Sequence, residues 1–342
     1  MGRSPLVPVV HAAIDGRADE LDTILSANAV AKALTRQGFR SEVIGIGTDF
    51  EQLDALKRRK PLAVFNLVEA IEADCKLAWL AAARLERKGL AITGASARAL
   101  KATVSKLEMK AVMFASNLPT PLWSDRGFGL PGDERVMVKS VDEHASVGID
   151  SRSIVRGRNA AAEIASRERE FGGRFFAEEF IEGREFNISL LEGPGGPRVL
   201  PIPEIIFEDF AEGKPRIVDY EAKWDAASHA YHHTPRKFGI ELTEPALARE
   251  LERVSLGVWE AFGIAGYLRV DFRVDSAGKP FVIDINSNPC IAPDAGFAAA
   301  AAEAGIGYDA LIGQLIEAAL VSRHLTARSS RLVTPEAAVA IG

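Results

Sequence analysis

The sequence predicts an α/β protein of several subdomains, on three observations. Up to about residue 100, short apolar runs alternate with stretches of helical length, the pattern of strands and crossover helices around a parallel sheet. A second mixed block opens at VMVKS, residues 136–140. A third, from about residue 185, is rich in strands and contains a charged hairpin.

In chain order, LVPVVH (6–11) reads as a strand, ADELDTILSANAVAKALTRQG as a helix and SEVIGIG as a second strand. A helix near 51–59, a strand in PLAVFNL and a long helix in DCKLAWLAAARLERKG complete the first unit. A helix around 105–116 leads through NLPTP into VMVKS, followed by a helix at 159–170 and a strand at 174–180. The Ala-rich stretch 298–304 and residues 307–321 read as helices, and the last dozen residues as a loosely held tail.

The hairpin is RVDFRVDSAGKPFVIDINSNPC, residues 269–290. Side chains alternate across a strand, so Leu268, Val270, Phe272 and Val274 form an apolar face that Phe281, Ile283 and Ile285 would continue. Asp-Ser-Ala-Gly-Lys, 275–279, supplies the turn. Arg269, Asp271, Asp284 and Asn286 then share the opposite face, with Asp271 across from Asp284. Like charges so placed destabilise a sheet. A hard cation such as Mg²⁺, held by one or two carboxylates together with substrate phosphates, resolves the conflict; a solvated outer face accounts for the hairpin alone equally well.

At 342 residues the chain has room for two or three cores, and 47% hydrophobic with 26% charged residues is an ordinary globular composition. A net charge of −6 gives no support to a nucleic-acid or anionic-membrane partner. No run of 18 apolar residues, no signal-peptide centre and two cysteines lead to the expectation of a cytoplasmic protein.

Some patterns are set aside. Gly127 to Gly132 spells G-x-G-x-x-G but contains Pro131 and runs into a strand, whereas a dinucleotide fingerprint joins a strand to a helix. No G-x-x-x-x-G-K-[ST] occurs. His229, His232 and His233 lie in a turn-rich segment with no cysteine nearby, poor material for a zinc site. More informative are Lys139, ending a buried strand before His144-Ala145-Ser146-Val147-Gly148, and the acids Glu178, Glu179, Glu182 and Glu185 around the strand exit at Ile181 and Gly183. A strand-end lysine can neutralise a phosphate, and acids at a strand exit can accept from an exocyclic amino group and a ribose; a solvated lysine before a surface loop and an acidic, solvated strand end account for them as well. Residues 218–238 carry Lys223, Trp224, Arg236 and Lys237 on a long connection, the usual form of a lid.

Taken in order, from VFNLVEA and ITGASARALKATVSKLEMKAVMFASNLPTP to DINSNPC, these segments resemble the ATP-grasp superfamily, in particular its D-alanine:D-alanine ligase-like branch, over about four fifths of the chain. The resemblance implies an N-terminal parallel-sheet pre-ATP-grasp domain (1–102), a central lid subdomain (103–184), a C-terminal ATP-grasp subdomain (185–325) and a tail (326–342). It implies an ADP-forming carboxylate-amine ligase using ATP and Mg²⁺, with Mn²⁺ as a substitute, acting on small carboxylates and amines as a homodimer. Asp271, Asp284 and Asn286 match metal ligands, and Arg269 with the Cys290 N–H matches the oxyanion donors. Lys106 and Lys139 match phosphate-binding lysines, and Lys223 the lysine of the closing loop. Glu178 matches the adenine acid, Phe180 and Ile181 the hinge, and Glu185 the ribose acid. Ser146 and Gly148 match the small loop over the reacting phosphate.

The departures concern the substrate. The family's E-G-S-S-V-G reads Glu143 to Gly148 with His144 and Ala145; Trp224 stands for Tyr, and Cys290 for Gly. Ala295-Gly296 replaces the Ser-Leu pair that holds the acceptor's carboxylate, and the glycine-rich N-terminal segment with an amino-binding Glu is missing. An amino-acid-like pair other than D-alanine with D-alanine is therefore expected; a true D-alanine:D-alanine ligase and a non-catalytic ATP-binding module are the alternatives.

Overall fold

A computed structural model describes residues 4–13, 18–72, 74–143, 148–210, 213, 215–218 and 228–332. In the first unit β1 (Val9–Ala12) lies between β2 (Val43–Ile46) and β3 (Phe65–Asn66), all parallel. Helices α1 (Ala18–Arg36), α2 (Glu51–Arg59) and α3 (Ala78–Arg87) accompany this sheet. Strand β3 is shorter than the PLAVFNL run implies, and the helix expected from Asp74 starts as a 3₁₀ turn, Cys75–Leu77. The Asp74 carboxylate there accepts from Lys76 N–H at 2.9 Å.

Two consecutive helices follow, α4 (Ala97–Val104) and α5 (Lys106–Ala115). Ser105 separates them because its hydroxyl caps α5, accepting from Glu108 N–H. The Lys106 N–H bonds to Val141 O at 2.9 Å, fastening the start of α5 to the next sheet. That sheet has the order β4-β7-β5-β6: β4 (Trp123–Ser124), β5 (Arg135–Ser140), β6 (Ile154–Arg156) and β7 (Phe175–Glu179). Helix α6 (Ala160–Phe171) covers it, and Val136, Val138, Ala160, Ile164, Phe175 and Ala177 form its own small core.

The largest sheet is antiparallel: β8 (Arg184–Gly193), β9 (Gly196–Val199), β10 (Glu204–Ile205), β11 (Arg236–Lys237), β12 (Tyr267–Val274) and β13 (Pro280–Asn286). Its order is β11-β10-β8-β12-β13, with β9 on β8. Helix α7 (Pro245–Phe262) starts with Pro245, whose missing N–H costs nothing in a first turn, and ends at Gly263 with φ 60°. Its Leu251, Val254, Val258 and Phe262, spaced three and four apart, pack on Leu268, Val270, Phe272 and Val274 of β12. Helices α8 (Gly296–Glu303) and α9 (Tyr308–Leu332) bury Phe297, Leu311 and Leu315 against Val9, Val30 and Leu34, so the first and third units share one core. Helix α9 runs beyond the 307–321 expected.

The hairpin keeps the expected Asp271–Asp284 pair but shifts its register beyond it, where strict alternation would set Val274 opposite Phe281. Arg269, Val270 and Asp271 pair with Asn286, Ile285 and Asp284, but Phe272 pairs with Val282 and Val274 with Pro280. Ile283 is therefore an extra residue in β13, a bulge that turns the strand. Val282 and Ile285 enter the core, whereas Phe281 and Ile283, assigned to that face by strict alternation, are only half-buried. Period two fails at one point because the bulged residue consumes a position without crossing the sheet.

Candidate functional site

The polar face of the large sheet is built from neighbouring ladder positions. Asn187 lies beside Asp271 and Ser189 beside Arg269 on β8, with Asp284 and Asn286 on the other flank. Arg269 grips Asp271 through two bonds, Nε to Oδ1 at 2.8 Å and Nη2 to Oδ2 at 2.9 Å. Asn187 Nδ2 donates to Oδ1 at 3.0 Å and Asn286 Nδ2 to Oδ2 at 3.3 Å. Asp271 thus has about four acceptor sites and four donors. Burial alone would lower the Arg269 guanidinium, but Asp271, with Asp284 and Cys290 in electrostatic range, outweighs it and holds the group charged.

This set can accept a hard cation. Among the described residues no group of three or more His, Cys, Asp or Glu comes together, so the oxygens on offer are two carboxylates and the amides of Asn286 and Asn187. That suits Mg²⁺, which takes one or two carboxylates and completes its shell with phosphate and water. Rotating the Asn286 amide by half a turn would present Oδ1 in place of its N–H.

A second cluster lies in the smaller sheet. Lys139 on β5 and Lys110 on α5 both pair with Glu178 on β7, each at 2.5 Å, and all three side chains are almost wholly buried. Lys139 and Glu178, expected to serve different parts of a nucleotide, touch each other. Burial pushes the Glu178 carboxyl up, but Lys110 and Lys139 outweigh it and hold it below the usual range. For Lys110 burial wins: its ammonium is lowered despite Glu178. Lys106, one helical turn before Lys110, donates to Glu143 O at 2.6 Å.

Between the two clusters runs the strand exit. Arg273, the next residue on the Arg269-Asp271 face, donates to Ile181 O at 3.0 Å, to Glu185 Oε2 at 3.2 Å and to Arg216 O at 2.8 Å. Its guanidinium lies 5.6 Å from the Phe180 ring centre, with Arg135 at 4.8 Å from the same ring. Gly183, at φ 150°, meets β12 so closely that a Cβ would fall 1.9 Å from Val274 O. The strand exit is thereby locked to the hairpin.

Several of these residues went unnoticed in the sequence. Arg273 follows from period two, since it is two positions beyond Asp271. Lys110 sits one helical turn after Lys106. Asn187 and Ser189 carry no such signal, because only the ladder brings β8 beside β12; Ser189 Oγ is buried with no hydrogen-bond partner among the described residues. Arg167, fully buried on α6, holds Gly148 O at 2.9 Å, Asp150 at 2.7 Å and Glu163 at 2.6 Å. It fastens the end of the loop expected over the phosphate. Ser146, His144 and Ala145, with Lys223 and Trp224, lie outside the described residues.

The loop after β13 returns toward the first unit. Ser287 Oγ lies 2.6 Å from Thr103 Oγ on α4, and Asn288 accepts from the buried Tyr267 hydroxyl at 2.7 Å and donates to Val68 O at 3.3 Å. Cys290 Sγ lies 3.8 Å from Ser26 Oγ on α1. Burial, with Glu69 and Cys290 in range, raises the Tyr267 phenol above its ordinary value. The histidine segment does something simpler: the His229 and His233 rings stack 3.6 Å apart, and His233 Nδ1 lies 2.8 Å from His229 O.

Comparisons with known proteins agree on one group. A family model described as D-ala D-ala ligase C-terminus matches residues 127–317. The uncharacterized protein y4sG of Sinorhizobium fredii is 31% identical over 305 residues, covering 86% of this chain and 87% of the relative. A D-alanine–D-alanine ligase of Synechococcus sp. (strain JA-2-3B'a(2-13)) is 29% identical over 326 residues, covering 88% and 90%. Among solved structures, the ATP complex of the D-alanine–D-alanine ligase from Bacillus anthracis superposes with a TM-score of 0.71 at 20% identity, over 94% of this chain and 99% of that one. The ligase from Coxiella burnetii gives 0.70 at 17% identity, over 97% and 98%.

Proposed function

The chain belongs to the D-alanine–D-alanine ligase family, and from that premise we propose that it is an ADP-forming carboxylate-amine ligase whose substrate pair differs from D-alanine with D-alanine. Support for the chemistry comes foremost from Arg269, half-buried against Asp271 on a face that also holds Asp284, Asn286 and Asn187 and in electrostatic range of Cys290. A site that only binds ATP needs no such donor.

In this reading an oxygen of the donor carboxylate attacks the γ-phosphorus of ATP, the bond to ADP breaks, and an acyl phosphate results. The acceptor amine then attacks the acyl carbon and phosphate leaves. Arg269 and the Cys290 N–H donate to the oxyanion that develops on the acyl oxygen. Lys106, Lys139 and Lys223 bind phosphate oxygens, with Ser146 in the loop over them. Glu178, Phe180, Ile181 and Glu185 hold the adenosine, and Arg273 fixes two of these from behind. Asp271, Asp284 and Asn286 would hold Mg²⁺, or Mn²⁺ in its place, which when bound neutralises charge on the transferring phosphoryl group. The division at residues 102, 184 and 325 belongs to the same reading, as does a homodimer working in the cytoplasm.

The substrate departure rests on Ala295 and Gly296, which offer no side-chain hydroxyl. A buried carboxylate that loses one donor loses about 1–3 kcal/mol. The curated relatives named D-alanine–D-alanine ligase favour the other reading, in which D-alanine is both substrates. Mass spectrometry of products from ATP with pairs drawn from D- and L-amino acids separates the two. Amides other than D-alanyl-D-alanine support the proposal, and that dipeptide as the sole product rejects it.

A further inference from the structure

Gly296 is the first residue of α8, and it is small for a visible reason. A Cβ there would lie 3.2 Å from Arg236 Nε and 3.7 Å from Cζ and Nη2. The guanidinium occupies the space that a side chain at position 296 would need. Arg236 arrives from a fixed base: it is in β11, paired with Ile205 of β10, and Pro235 O accepts from Ile206 N–H at 2.9 Å. Nη1 reaches toward Asp294 O at 3.5 Å, so the head group lies against the end of the loop that leads into α8. The side chain is exposed.

From this juxtaposition we infer that Arg236 determines acceptor specificity by binding a carboxylate on the incoming amine. The inference rests on the ligase reading proposed above and adds to it the acceptor's anchor. A guanidinium is a planar fork of N–H donors matched to the two oxygens of a carboxylate, and it carries a full charge where a hydroxyl carries none. With Ala295 and Gly296 giving no side-chain donor, the grip on the acceptor comes from Arg236 on β11 beside them, and Gly296 is what leaves it room. Replacing Arg236 removes the anchor while leaving the buried core untouched.

The test offers the intact protein ATP, Mg²⁺ and, as acceptors, the common amino acids and D-alanine, each beside its own carboxamide. Wild type, Arg236→Ala and Arg236→Lys are compared, and hydroxylamine is used with wild type to trap the acyl phosphate as a hydroxamate. Wild type should favour free acids over amides by about 10-fold or more in kcat/KM. Arg236→Ala should bring that ratio close to one, chiefly through a higher acceptor KM, and Arg236→Lys should restore part of it. An unchanged ratio in Arg236→Ala overturns the inference, as does a wild type that forms hydroxamate yet shows no preference for acids. Absence of hydroxamate with every donor removes the ligase reading itself and this inference with it.

Discussion

Asp271 and Asp284 face each other across β12 and β13, and Ile283 is bulged out of the ladder between Asp284 and Val282. The bulge keeps two carboxylates opposed on the polar face while the apolar side chains Val282 and Ile285 stay in the core. Removing the charge of one should cost activity and little stability. Asp284→Asn is expected to lower turnover by about 10²-fold or more, with unfolding free energy changed by less than about 1 kcal/mol. Steady-state ADP release and urea unfolding measure the two quantities. Full activity at limiting Mg²⁺ would remove Asp284 from the metal site.

The Lys110–Glu178–Lys139 cluster makes a stability prediction with a pH dependence. Glu178→Gln strips two buried ammonium groups of their counter-charge and should destabilise the fold by about 3–5 kcal/mol. The Glu178 carboxyl lies below its ordinary 4.5 in the folded protein. Between that depressed value and 4.5 the unfolded chain binds the extra proton, so stability falls as pH falls through this window. Urea midpoints across pH 3–6 should show a component of this decline that is lost in Glu178→Gln. An identical pH slope in both proteins would show that the carboxyl is not held down.

Gly183 should be intolerant of a side chain. Its φ of 150° and the 1.9 Å approach to Val274 O leave no room for a Cβ, and the obstacle is backbone. Gly183→Ala should cost about 2–4 kcal/mol and displace the strand exit at Ile181 from Arg273. A stability loss under 1 kcal/mol in chemical unfolding would contradict the locked exit.

The connection 212–238, whose residues 219–227 lie outside the described residues, carries a further prediction. If it closes over the acyl phosphate to exclude water, ATP with Mg²⁺ should slow its proteolysis several-fold. Equal cleavage rates with and without nucleotide would take it out of the mechanism.

How much of this could be read beforehand varies with the physical signal. The alternation Leu268, Val270, Phe272, Val274 fixes the face of β12, and with it the grouping of Arg269 and Asp271, because burial enforces period two. It fails at Ile283, since a bulge leaves no mark in composition. Helix α5 was legible from about residue 105, but α4, which ends at the Ser105 cap, was not read as a helix. Asn187 and Ser189 were illegible as site residues for a different reason. Each is brought in by sheet pairing between segments far apart in sequence, and no local periodicity carries that information. Arg167 had a weaker excuse, since a fully buried arginine on an otherwise polar helix shows itself only once α6 is packed on its sheet.

The most direct measurement of the central claim, that a donor carboxylate is activated by the γ-phosphate of ATP, follows the oxygen. With a donor found in the product screen and labelled with ¹⁸O in its carboxylate, one labelled oxygen should leave in each phosphate released, together with ADP. That is the atom that bridged carbon and phosphorus in the acyl phosphate. Unlabelled phosphate, or label appearing in AMP with pyrophosphate as the co-product, would contradict the account.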